Sequence, residues 1–117
     1  MLIFLISFFA AFLLVLLLPN AARAATPMLK MLSTPSCPAC ARMERVLSDL
    51  SREYEGKITA EKVNLLEHRE IAKQYNVRYV PHLLFIDADG NVFKEEVGAL
   101  PLEKILQTFE EAGVSLE

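Results

Sequence analysis

Thr34-Pro35-Ser36-Cys37-Pro38-Ala39-Cys40 holds both cysteines of the chain, three residues apart. Two thiols at that spacing close a small disulfide only where the backbone bends tightly, as it does at the start of a helix. Pro38 suits such a start, because its ring fixes φ near the helical value and its missing N–H would be unpaired there anyway. Ala41, Arg42, Met43, Glu44 and Arg45 follow and are helix formers, so Cys37 is expected at the N-cap and Cys40 in the first turn. Free N–H groups and the positive end of the helix dipole then favour a thiolate on Cys37. In Cys-x-x-Cys pairs the first thiol falls from about 8.5 to roughly 3.5 to 7.5. This pattern predicts a nucleophilic Cys37 and a deeper, resolving Cys40 that together form a redox-active disulfide.

Working outward, residues 27–32 form a short apolar run that ends in the turn-rich Ser33-Thr34-Pro35, which predicts a buried strand feeding the cysteine turn. Met43, Val46, Leu47, Leu50 and Tyr54 share one helical face over residues 38–55, with Gly56 as the C-cap. Residues 58–65 are β-branched and partly alternating, as a second strand would be. A short helix follows over residues 67–75, with Ile71, Ala72 and Tyr75 inward and Asn76 closing it. His68 sits on its charged surface. Pro81 stands at the first residue of an apolar strand that continues His82-Leu83-Leu84-Phe85-Ile86. Asp87-Ala88-Asp89-Gly90 turns it back into residues 91–97. Gly98 breaks that strand, and Pro101 opens a last helix with Leu102, Ile105, Leu106 and Phe109 on one face. The order β-α-β-α-β-β-α implies an α/β fold with a central mixed four-stranded sheet and helices on both faces. Chemistry in such sheets gathers at the carboxyl ends of strands, where Cys37 falls.

The 117 residues suffice for one domain. Residues 2–18 are apolar except for Ser7, and Ala22-Arg23-Ala24 follows. This is the pattern of a leader peptide cut before Ala25, which divides the chain into residues 1–24 and a domain over residues 25–117. This stretch of seventeen residues also approaches the span of a bilayer core, so an uncleaved anchor through residues 2–18 is the alternative. Either way the domain is expected outside the cytoplasm, in the periplasm or secreted. Only Arg23 of the 12 basic residues lies before Ala25, leaving 11 basic against 15 acidic side chains, a net of −4. That balance, without a Lys/Arg cluster, argues against nucleic acid as a partner. Two cysteines are too few for a disulfide scaffold.

The Cys-Pro-Ala-Cys turn, the Tyr75-Asn76-Val77-Arg78-Tyr79-Val80-Pro81 approach, the Asp89-Gly90 hairpin and Val97-Gly98-Ala99 together resemble thioredoxin-like proteins over about residues 28–112. The resemblance implies that Pro81 is a cis-proline beside the disulfide and that the Val80 backbone pairs with an extended substrate peptide. It also places Lys62 and Gly98 where thioredoxins carry a lysine and a glycine near the site. Ser36 stands in place of the usual Trp, Pro38-Ala39 in place of Gly-Pro, Met31 in place of a buried acid and Arg45 in place of a helix proline. The first strand and helix of longer thioredoxins have no counterpart, so the chain looks like a minimal, glutaredoxin-like thioredoxin. Gly98 lacks the Gly-Gly-x-Asp run with which glutaredoxins hold glutathione. Protein thiols and disulfides are therefore the expected substrates of a monomer that needs no cofactor or metal, with a redox partner such as a membrane thiol carrier. His82, next to Pro81, is a candidate for stabilising the Cys37 thiolate, Lys62 for electrostatic tuning, and Tyr79 for the substrate groove. A thioredoxin-fold Cu(I) chaperone, or a non-catalytic binding module, is the alternative reading.

Overall fold

The computed structural model describes residues 2–6, 9 and 26–117. Strand β1 (Met28–Ser33) leads into helix α1 (Pro38–Glu53), followed by β2 (Thr59–Asn64), α2 (Arg69–Gln74), β3 (His82–Ile86), β4 (Val92–Val97) and α3 (Leu102–Glu111). The sheet order is β2-β1-β3-β4, with β1 parallel to β2 and antiparallel to β3, and β3 antiparallel to β4. This is the mixed sheet expected from the element order. The leader or anchor expected over residues 2–18, with its cut before Ala25, falls largely outside the described residues. No helix among the described residues is long and apolar enough to cross a membrane.

The two central strands are buried on both faces, and alternation along them sorts side chains into two apolar layers. Leu29 and Met31 of β1 and Leu83 and Phe85 of β3 pack with Met43, Leu47 and Leu50 of α1 and with Ile105 and Phe109 of α3. Phe85 meets the Phe109 ring at 5.3 Å between centroids. On the opposite face Leu32, Val63, Leu65 and Leu84 pack under Ile71, Ala72 and Tyr75 of the α2 region. Helices thus cover both faces. The pairing of Leu32 with Val63 on one side and His82 on the other locks β1 into the middle of the sheet.

Helix α1 stops two residues short of the expected end. The Tyr54 N–H still bonds to the Leu50 carbonyl, but the Tyr54 carbonyl then accepts from both Lys57 and Ile58. That closes a turn through Gly56 at φ +80°, so the glycine serves the turn after the cap and Tyr54 is the cap itself. Helix α2 is shorter than expected, six residues with none buried, and Asn76 at φ +48° turns the chain away from it. Arg45 leaves α1 uninterrupted from Pro38 to Glu53.

Candidate active site

Between β1 and α1 the chain reverses through Ser36, held at φ +62°, a left-handed conformation unusual for a residue with a Cβ. Cys37 then takes extended angles (φ −106°, ψ 106°) as the N-cap of α1, with Pro38 in the first helical turn. The Cys37 carbonyl accepts the first helical bond from the Ala41 N–H at 3.0 Å. Its Sγ accepts from the Cys40 N–H at 3.1 Å, the place a serine or aspartate side chain takes in an ordinary cap. Cys37 and Cys40 form a disulfide with their Cα atoms 5.2 Å apart. Cys37 is half-buried between exposed Pro38 and Ser36, Ala39 is half-buried, and Cys40 is 3% exposed within the apolar layer under α1. One sulfur can therefore meet another protein while the other waits a turn below.

Pro81 comes to the same end of the sheet, because the register that pairs Leu32 with His82 carries the preceding residue to where β1 runs into the cysteine loop. The Val80–Pro81 peptide is cis and Pro81 is fully buried. The Pro81 carbonyl accepts from the Gly98 N–H at 2.8 Å, and Gly98 has φ +100°, which ties the end of β4 to the proline. Val80 packs against both apolar layers and makes no backbone hydrogen bond among the described residues. Its N–H and C=O are thus free for an extended chain. Tyr79 is 73% exposed beside it.

A cavity of about 260 Å³ runs behind the disulfide and is lined by Ser33, Thr34, Cys37, Cys40, Glu44, Lys62 and Asn64. Lys62 reaches it from β2 and forms an ion pair with Glu44 on α1. The structure brings Lys62 to the cysteines in this way, whereas Met31, its Cα partner on β1, is a fully buried core residue. Sequence reasoning passed over Glu44, although its spacing of four from Cys40 puts the two on one helix face.

His82 departs from expectation. Strand alternation turns it to the Leu84 face, away from α1 and the disulfide. It is buried there, with Nε2 at 2.8 Å from Glu95 Oε1 and Nδ1 without a partner among the described residues. It is a residue of the sheet's far layer and gives the Cys37 sulfur no support. His68 is exposed, 3.4 Å from Glu70, as its surface position predicted.

A family model described as a thioredoxin-like domain matches residues 18–113. The chain is 38% identical over 82 residues to thioredoxin C-2 of Corynebacterium nephridii, covering 70% of this chain and 75% of that one. It is 39% identical over 66 residues to the thioredoxin of Chlorobaculum thiosulfatiphilum, spanning 56% of this chain and 60% of its relative. Among solved structures, that of an uncharacterized thioredoxin-like protein from Clostridium perfringens superposes with a TM-score of 0.67 at 29% identity, covering 80% of this chain and 76% of the other.

Proposed function

Since this chain belongs to the thioredoxin-like domain family and is a thiol–disulfide oxidoreductase, we propose that it reduces disulfides of protein clients outside the cytoplasm. The observation that carries this reading is the unequal pair at one helix N-terminus, with Cys37 accessible and Cys40 buried. In the reduced chain the Cys37 thiolate attacks one client sulfur, the client disulfide breaks, and a mixed disulfide joins the two proteins. Cys40 then attacks Cys37 Sγ, the client leaves as a thiolate, and the Cys37–Cys40 disulfide forms. Two electrons have passed to the client, and a partner thiol must return them.

The unpaired Val80 backbone and the exposed Tyr79 beside Pro81 give a client segment a place to lie in extended form. Lys62 lines the cavity behind the disulfide, Gly98 bonds to the Pro81 carbonyl, and Pro38 and Ala39 separate the two cysteines at the helix start. The reducing direction rests on the relatives, which are named thioredoxins, and thioredoxins stand at about −270 mV, near the reducing end of such pairs. The extracytoplasmic location rests on the apolar residues 2–18, and a membrane thiol carrier is the partner suited to it. The domain works as a monomer.

Turbidimetric reduction of insulin by the full chain, with dithiothreitol as the electron source, tests the reading. Wild type is expected to accelerate precipitation and Cys37→Ser to fall to the uncatalysed rate. An inactive wild type that binds Cu(I) tightly through the same cysteines would instead support metal carriage.

A further inference from the structure

Resolution of the mixed disulfide needs a second thiolate, and apolar burial of Cys40 works against forming one. A proton acceptor must therefore lie within reach of its sulfur. Cys40 and Glu44 stand one turn apart on the same face of α1, and both border the cavity behind the disulfide. Of the other polar side chains on that wall, Thr34 and Ser36 offer only hydroxyls, which are too weakly basic to take a thiol proton, and two more are engaged. Ser33 Oγ donates to the Val63 carbonyl at 3.2 Å, and Asn64 Oδ1 accepts from the Leu66 N–H at 2.9 Å. Glu44 is the one carboxylate on the wall. Lys62 Nζ donates to its Oε1, and among the described residues Oε2 accepts no hydrogen bond. A cavity of about 260 Å³ has room for the water that would join Oε2 to the sulfur. The charged groups around Glu44 are Lys62 and, bordering the neighbouring groove, Glu61, both from β2.

Resting on the exchange reading above, we infer that Glu44 is the proton acceptor for Cys40 in the resolving step and that Lys62 positions its carboxylate. The Cys40 S–H bond breaks, its proton passes through cavity water to Glu44, and the electron pair left on sulfur attacks Cys37 Sγ. The bond between Cys37 and the client sulfur breaks as the ring disulfide forms. The client thiolate takes up a proton from Glu44 or from solvent, so no further reactant is needed. The first step, attack by Cys37, makes no use of Glu44 as a base.

Stopped-flow mixing of the reduced full chain with dithiobis(nitrobenzoate) separates the two steps. One coloured thiolate is released when Cys37 attacks and a second when Cys40 resolves. Glu44→Gln is expected to slow the second phase at least about tenfold while keeping the first within about threefold, since a positioned base contributes roughly that much or more. Glu44→Asp, which keeps the carboxylate, is expected to recover most of the loss. Equal second phases in wild type and Glu44→Gln, or one proportional slowing of both phases, overturn the role of Glu44 and leave the exchange reading standing. A wild type without the first phase overturns the exchange reading itself.

Discussion

Cys37 and Cys40 differ in what surrounds each sulfur, and the roles proposed for them rest on that difference. Replacing Cys40 by Ser removes the resolving thiol, so Cys40→Ser is expected to accumulate a covalent complex with insulin on non-reducing gels, whereas Cys37→Ser forms none. Ser36 accepts a left-handed backbone that costs a residue with a Cβ roughly 1–2 kcal/mol. Ser36→Gly is therefore expected to raise stability in urea denaturation, or leave it level once the greater freedom of the unfolded glycine is counted. The cysteine pair was legible from its spacing, whereas a cis Pro81 and a Gly98 near the pair were expected only from the resemblance to thioredoxin-like proteins; the structure has the cis bond and the Cys37–Cys40 disulfide. The place of His82 was not legible. Its neighbour in sequence lies at the site, but one step along a strand reverses a side chain, and the partner that fixes it, Glu95, sits on β4. His82→Leu is accordingly expected to hold insulin turnover within about twofold, since it removes a group of the far layer and leaves Glu95 half-exposed to water.

Element by element, α1 carries the site, and its position depends on the side chains beneath it. Met43, Leu47 and Leu50 seat it on β1 and β3, so the N-terminus that caps Cys37 is held by apolar contacts further along the helix. Truncating the most enclosed of these, Leu50→Ala, is expected to cost about 2–5 kcal/mol in denaturant unfolding. A loss under about 1 kcal/mol would mean that the helix is not anchored there. Strands and helices were legible in order because apolar spacing changes from near-continuous in β1 and β3 to helical in α1 and α3. Their ends were less so. Gly56 marks the turn after the cap, and the choice between cap and turn is made by the Tyr54 carbonyl, which accepts two N–H groups at once. Nor does spacing reveal that Glu44 and Lys62 meet, because that pair joins a helix to a strand 18 residues away.

For the whole molecule, one sheet with a helix layer on each face presents the cysteine loop, Pro81 and Gly98 at a single end, drawn from three separate stretches of chain. The mixed sheet and its two covered faces followed from the order of elements. The strand order, with β1 and β3 side by side at the centre, follows from packing that the order of elements alone does not fix. The proposed location adds a cellular prediction: the full chain is expected in the membrane or extracytoplasmic fraction, and deletion of residues 2–18 should leave it in the cytoplasm. The most direct measurement concerns the sulfur at the helix start. Alkylation of the reduced full chain by iodoacetamide, followed across pH with each cysteine read by mass spectrometry, should show Cys37 reacting ahead of Cys40 with a midpoint below the value of about 8.5 for an ordinary thiol. If Cys37 reacts no faster at neutral pH than a cysteine in an unfolded chain, or if Cys40 reacts first, the helix start does not generate the nucleophile.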